Sequence, residues 1–236
     1  MSEATAKSWY WKGVRDGAPF VLVVGPFGLL FGVVGTEAGL NIAEVMGFTV
    51  LVIAGASQFA AVQLLSENAP TLIVLVTALA VNLRMAMYSA ALVPHLGAAP
   101  LWQRAVMAYF LVDQSYAVGV SRFEDTPQMT LPQKVAYYFG VVSPICPNWY
   151  LMTLVGALVG KAIPPEFALD FAVPITFLAL VAPALRTLAH VAAAGTSVAG
   201  ALLLAFLPYN SGLLIAALTA MIVGAQVELW TKGRKA

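Results

Sequence analysis

Eight stretches of 18 or more mostly apolar residues run along this chain, separated by short polar or Pro/Gly-rich breaks: Pro19–Thr36, Val45–Ser66, Thr71–Val93, Trp102–Ser121, Val135–Gly160, Ala168–Leu185, Leu188–Leu207 and Ser211–Trp230. A helix needs about 20 such residues to cross the hydrocarbon of a bilayer. Lipid offers the backbone no hydrogen-bond partner, so spanning segments must be helices or closed barrels. The chain is 61% hydrophobic and 10% charged, too few charges to cover a water-facing surface. The expected fold is therefore all-α: one polytopic transmembrane domain over residues 1–236, with residues 1–17 as a cytoplasmic interfacial segment. Eight spans are expected, or seven if 168–207 holds one span and a re-entrant piece. Several are expected to be kinked or broken.

The positive-inside rule orients the eight spans. With the N-terminus in the cytoplasm, Lys7, Lys12, Arg15, Arg122, Lys134, Arg186, Lys232, Arg234 and Lys235 all fall inside, and both termini are cytoplasmic. Only Arg104 and Lys161 fall outside. Trp9, Tyr10, Trp11 and Trp230 read as interfacial anchors, and Ser8–Gly17 as a short helix lying on the inner membrane face. No cleavable leader is expected, because Met1–Arg15 lacks an apolar region ahead of a small-residue site. The scattered charges, net +1, form no basic stripe for nucleic acid. The lone Cys146 excludes an internal disulfide and any multi-cysteine metal site. An intramembrane enzyme would need a nucleophile–base pair or a metal cluster at depth. Cys146 with two end-placed histidines supplies neither, so the chain is read as no enzyme, without cofactor or metal.

A loosely matched internal two-fold repeat relates Phe31–Gly35 and the span after it to Gly156–Gly160 and its sequel. Repeats of this kind occur in secondary transporters, which bind substrate near the midplane.

Arg84 lies in the middle of the third run, with Asn82 two residues before it, and Asp113 in the middle of the fourth. A charge at the bilayer centre costs roughly 2.5–3.5 kcal/mol on insertion scales and usually faces a protein interior. Two readings stay open. Arg84 and Asp113 form a structural ion pair, or Arg84 holds a substrate carboxylate with its planar fork and Asp113 is counter-ion or proton-coupling acid. Tyr88, four residues on, shares a helix face with Arg84, whereas Asn82 points elsewhere. Ser57 and Gln58 sit within small residues, Ala54–Ala61, that permit close helix contact or mark an unwound helix. Gln58 should face the interior, as a bundle hydrogen bond or a substrate ligand. Pro144 and Pro147 are expected to break the fifth span beside Asn148, by a plain kink or as a binding element. Asp170 opens the sixth span, as a cap or a proton carrier. A carboxylate buried in low dielectric can have its pKa raised toward neutrality.

Several of these motifs, in order, resemble the AzlC family. They are Gly-Ala-Ser-Gln-Phe at Gly55–Phe59, Asn-Leu-Arg…Tyr-Ser-Ala-Ala-Leu…Pro at Asn82–Pro94, Tyr-Phe-Leu-Val-Asp at Tyr109–Asp113 and Leu-Asp-Phe-Ala-Val-Pro at Leu169–Pro174. The first-span pattern of Gly17, Pro19, Pro26-Phe27-Gly28 and Phe31-Gly32 is similar too, so the likeness runs from Gly13 to Leu229. Met85-Ala86-Met87 departs from it, standing where His or Tyr and a larger aliphatic residue are expected. That places substrate preference in question more than fold. The resemblance implies the large subunit of a bacterial inner-membrane exporter of branched-chain amino acids, with methionine or analogues as further cargo. A small partner, AzlD, of about four spans is implied with it. Transport would draw on the proton-motive force, since no phosphate-binding loop is visible. On this reading Arg84, Asn82, Gln58, Ser57, Tyr88 and Asn148 are the candidate substrate ligands, and Asp113 and Asp170 the proton-coupling or counter-ion groups. The rival class is a structural or channel-like subunit with no amino-acid site of its own.

Overall fold

The computed structural model describes residues 5–160, 185, 187–207 and 211–233. Among these the regular structure is helical: α1 (Ala6–Gly17), α2 (Val21–Glu37), α3 (Ile42–Leu51), α4 (Gly55–Ser66), α5 (Thr71–Leu96), α6 (Leu101–Tyr109), α7 (Asp113–Asp125), α8 (Leu131–Gly160), α9 (Leu188–Leu203) and α10 (Ser211–Gly233). Among the described residues, four stretches are long and apolar enough to cross a membrane: Ala6–Glu37, Thr71–Leu96, Leu131–Gly160 and Ser211–Thr231. The expected span over 168–185, with Asp170, lies outside the described residues apart from Leu185. The chain divides into two compact units, Met1–Val62 with Ala78–Pro164, and Gln63–Thr77 with Pro165–Ala236.

The frame of the first unit is α1–α2 lying along α8. One turn of 3-10 helix at Ala18–Phe20, with Pro19 where helix starts favour it, joins α1 to α2. Contact depends on glycine. A Cβ on Gly13 would meet the Tyr137 carbonyl, one on Gly32 the Thr153 carbonyl and Ala157 nitrogen, and one on Gly156 the Leu29 carbonyl. Gly13 sits against Gly140, Gly28 against Trp149 and Gly160 against Val33, so the two helices run parallel at nearly constant offset. Small residues at four-residue spacing let backbones approach this closely. The resemblance of Phe31–Gly35 to Gly156–Gly160 is thus the rhythm of two segments packed on each other. The N-terminal segment also differs from expectation: α1 runs into the first span instead of lying alone on the surface. Trp9 is buried against Tyr137, with ring centroids 6.2 Å apart, so it packs the helix pair, while Trp11 stays 60% exposed. Pro144 and Pro147 lie within a continuous α8 and do not interrupt it. Membrane helices tolerate proline where neighbours and Ser/Thr side chains re-satisfy the backbone, and here Ser143 Oγ donates to the Phe139 carbonyl at 2.7 Å.

Two of the apolar runs turn back on themselves. In the second, the Asn41–Glu44 capping box starts α3, which descends antiparallel to α2, with Gly35 against Val45 and Phe31 near Phe48. The helix stops at Leu51, and α4 returns: Gln58 Nε2 reaches Thr49 Oγ1 at 3.1 Å, which a straight helix would hold roughly 13 Å apart along its axis. Phe59 accordingly packs on Phe27 and Phe31. In the fourth run, α7 lies parallel to α5, with Asp113 opposite Arg84, Tyr116 opposite Tyr88 and Phe123 opposite His95. The chain therefore travels back from Leu96 through α6 before α7 begins. Each run is a helical hairpin, with tips at 52–54 and 110–112. Apolar length alone cannot distinguish a hairpin of two short helices from one long span.

The hairpins enter from opposite ends of the unit. Arg104 in α6 lies beside Leu96 and Gly97, at the end that carries Arg15, Arg122 and Lys134, contrary to its expected place on the other side. An internal likeness is present at a spacing other than the expected one. Ser57 Oγ donates to the Ala54 carbonyl at 3.1 Å and Ser115 Oγ to the Val112 carbonyl at 2.9 Å, each serine the third residue after its tip. Helix, loop, descending arm, tip and returning arm recur in α2–α3–α4 and α5–α6–α7 with opposite direction.

In the second unit α9 and α10 pack antiparallel, Gly200 against Ala216 and Gly212 against Leu204.

Candidate functional site

Both tips expose backbone in an apolar interior, and side chains from neighbouring helices take up what the helices leave unsatisfied. Tyr109, the last residue of α6, donates its hydroxyl to the Val50 carbonyl at 2.7 Å and lies 2.9 Å from the Tyr150 hydroxyl. The end of one hairpin's descending arm is thereby fastened to the end of the other's. Tyr138 of α8 donates to the Met107 carbonyl at 2.8 Å, and Ser115 Oγ accepts from the Val112 amide at 3.0 Å. Beneath the first tip, Thr49 Oγ1 accepts from Gln58 Nε2 at 3.1 Å and Trp149 Nε1 at 2.9 Å. Both its lone pairs are then used, so its own proton goes to Thr153 Oγ1 at 3.4 Å. Thr49, Gln58 and Thr153 are fully buried among Phe27, Phe31, Phe59 and Trp149.

Beside these tips stands the charge pair. Arg84 is the middle residue of α5, and Asp113 is the first of α7, where the positive end of the helix dipole favours a carboxylate. Arg84 Nη1 is 3.1 Å from Asp113 Oδ2, with both side chains half-buried. The contact is single. Arg84 Nε and Asp113 Oδ1 are buried and without a hydrogen-bond partner, as are Asn82 Oδ1 and Gln58 Oε1. Leaving such groups unmade costs about 1–3 kcal/mol each. Tyr88 stacks on Tyr116 one turn along, centroids 4.1 Å apart and planes at 11°, and lies within electrostatic reach of both charges. On a flank of α5 some 120° round from Arg84 and Tyr88, Leu79, Leu83 and Met87 form a stripe about two-thirds exposed, as a lipid-facing surface requires.

The candidate residues thus separate. Arg84, Asp113 and Tyr88 come together. Asn82, some 200° round the helix from Arg84, presents its open oxygen on another flank. Gln58 and Ser57 belong to the first hairpin, Gln58 as a bundle hydrogen bond and Ser57 closing its own tip. Asn148 faces α2, with Nδ2 donating to the Val21 carbonyl at 3.5 Å. Thr49, Ser115, Tyr138 and Trp149 carry no sequence signal of their own, and Tyr109 enters only as the first residue of the Tyr109–Asp113 motif. The paired serines, each ending a small or polar triplet (Gly55-Ala56-Ser57 and Asp113-Gln114-Ser115), are the signal that marks the tips.

A second ion pair closes one end of this unit. Asp16 Oδ2 accepts from Arg122 Nη2 at 2.8 Å and from the Tyr137 hydroxyl at 2.6 Å, tying α1, α7 and α8 together at the mouth of a cleft of about 530 Å³.

Comparison with known proteins finds relatives named as membrane proteins. The family model described as AzlC protein matches residues 19–163. An uncharacterized membrane protein of Archaeoglobus fulgidus is 29% identical over 210 residues, covering 87% of this chain and 88% of the relative. The inner membrane protein YgaZ of Escherichia coli K12 is 24% identical over 186 residues, 74% of this chain and 73% of its own length. No solved structure matches.

Proposed function

This chain belongs to the AzlC family of membrane proteins, which is associated with transport, and we propose that it is a permease exporting leucine, isoleucine and valine, with methionine or analogues as further cargo. The observation that carries this reading is the open donor and acceptor on either side of one ionic contact, Arg84 Nε and Asp113 Oδ1. An amino acid brings the complementary set: a carboxylate for the guanidinium and an ammonium for the aspartate. The arginine fork takes two carboxylate oxygens where it now holds one, and charge-assisted bonds of this kind are the strong ones.

Export driven by the proton-motive force follows if Asp113 exchanges between its arginine, the substrate ammonium and a proton. Asp170 is a further candidate carrier. The two hairpins, entering from opposite ends and meeting tip to tip, provide the barrier on each side of the site for alternating access, as discontinuous helices do in other transporter folds. Orientation follows the positive-inside rule. The two hairpins do not cross on this reading, so Arg104 joins Arg122 and Lys134 on the cytoplasmic side, and both termini are cytoplasmic. The membrane is the bacterial inner membrane, and a small AzlD-like subunit is the partner. The chain is a transporter and no enzyme.

A structural or channel-like subunit is the second reading, since an Arg84–Asp113 contact is sensible chemistry without a substrate. The two are separated by efflux of labelled leucine from cells carrying the chain and its small partner. Export predicts that Arg84→Ala removes efflux while the protein still inserts, and that collapsing the pH gradient with an ionophore slows the wild type. Undiminished efflux from Arg84→Ala cells overturns the substrate role. A gene that makes no difference to growth on a toxic leucine analogue supports the scaffold.

A further inference from the structure

The Asp16–Arg122 pair joins a rigid element to a loosely held one across a cleft of about 530 Å³. Asp16 and Tyr137 belong to the glycine-locked frame: next to Asp16, a Cβ on Gly17 would fall on the Val141 carbonyl of α8. Arg122 belongs to α7, whose buried Gly119 has only the Phe123 ring of its own helix within 4 Å of a Cβ, so backbones do not interlock there. Side chains hold α7 to the frame instead. Near the tip, Ser115 Oγ lies 3.3 Å from the Tyr138 hydroxyl. At the other end Arg122 meets Asp16 at 2.8 Å, with its guanidinium 5.7 Å from the centre of the Tyr137 ring. Arg15, Asp16, Arg122 and Asp125 line the cleft, and charges in a membrane protein face water or protein rather than lipid. On α7 the lining includes Val118, Ser121 and Asp125, spaced at three and four residues along one face. One further step of four reaches the half-buried Gln114, beside Asp113 and about 10 Å along the axis from Ser121. A single face of α7 thus leads from the basic end of the unit to the charge pair, and the Asp16–Arg122–Tyr137 cluster ties the walls of that route together.

We infer that this cleft is the cytoplasmic entry for the amino acid, that Asp16, Arg122 and Tyr137 form the latch that closes it, and that Gln114 stands at its inner end. The inference rests on the proposal that the Arg84–Asp113 pair binds an amino-acid zwitterion and that the basic end faces the cytoplasm. Cleft charges of both signs suit a zwitterion better than an anion or a cation. The latch is shut here, with Asp16 Oδ2 accepting from both Arg122 Nη2 and the Tyr137 hydroxyl. Opening exchanges these bonds for water, which the partly exposed position of the pair makes inexpensive. The short connection 126–130 lets α7 draw away from α1 while α8 stays in the frame.

The test is labelling of single cysteines by a membrane-impermeant maleimide applied to the cytoplasmic face. It uses inverted vesicles holding the complex with its small partner, in a Cys146→Ala background. Ser121→Cys, in the cleft, should label at one rate whatever the latch does. Gln114→Cys should label slowly with the latch intact and about five-fold faster with Arg122→Ala or Tyr137→Phe, the shift that a partly exposed ion pair supports. The exchange of Asp16→Arg with Arg122→Asp should restore the slow rate. Saturating leucine should protect Gln114→Cys and leave Ser121→Cys unchanged. Thr153→Cys, fully buried in the frame, should stay unlabelled throughout. A Gln114→Cys rate that ignores both latch variants, a rise at Thr153→Cys in step with it, or label that reaches Gln114→Cys only from the outer face overturns the inference. If Arg122→Ala does not insert, Tyr137→Phe carries the comparison. Leucine protection in Arg84→Ala separates the two levels. Protection kept there removes the zwitterion site itself. Protection lost there, with Gln114→Cys rates that ignore the latch, removes the latch only.

Discussion

Replacing Thr49 by Val removes one oxygen and keeps the shape of the side chain, so its effect isolates the hydrogen-bond knot under the first hairpin tip. Thr49 Oγ1 is the acceptor for Gln58 Nε2 and Trp149 Nε1 and the neighbour of Thr153 Oγ1, all in a fully buried setting. The change leaves two donors without an acceptor. An orphaned buried donor costs about 1–3 kcal/mol, whereas hydrogen bonds within membrane bundles average about 0.6 kcal/mol, because the unfolded chain in lipid also finds partners. Two donors taken between those limits give a loss of about 2–3 kcal/mol. Equilibrium unfolding in mixed micelles reads this through tryptophan fluorescence, with Trp149 itself the reporter. The double variant Thr49→Val with Gln58→Leu should be more stable than Thr49→Val alone, since it also removes an orphaned donor and the open Gln58 Oε1. A Thr49→Val protein within about 0.5 kcal/mol of wild type, or a double variant whose losses simply add, refutes the knot.

Gly156→Val should prevent assembly of the α2–α8 pair, because its Cβ falls on the Leu29 carbonyl and backbone cannot yield as a side chain does; protease resistance of the inserted protein reports it. Gly47→Ala, where nothing lies nearby, should leave resistance unchanged. Arg122→Ala leaves Asp16 with Tyr137 as its remaining partner and should loosen α7 from α1, by about 1 kcal/mol for a half-exposed pair, seen as faster amide exchange over 113–125 with α8 unchanged.

The relation of sequence to structure differs from element to element. Arg84 and Asp113 could be matched from depth alone, since a charge at mid-membrane has few affordable partners, and the structure places them 3.1 Å apart. Gly32, Gly35, Gly156 and Gly160 belong to a small-residue rhythm visible in the sequence, but rhythm does not say whether two segments are copies or neighbours. The hairpins escaped because their two arms together have the length and apolarity of one span. Reversal is determined by tertiary contacts, Gln58 on Thr49 and Phe123 on His95, that no local pattern encodes. Asn148 is conspicuous in the sequence by its polarity, and only the packing shows that it faces the Val21 carbonyl on α2.

Calorimetric titration of the purified complex with leucine and with its two half-charged analogues tests the zwitterion site most directly. In 4-methylpentanoate the ammonium is missing, and in 3-methylbutylamine the carboxylate. A hydrogen bond to a charged group is worth about 1.5–3 kcal/mol, so each analogue should bind at least ten-fold more weakly than leucine if Asp113 and Arg84 hold opposite ends of the ligand. Either analogue binding as tightly as leucine contradicts the assignment of that end to its charge.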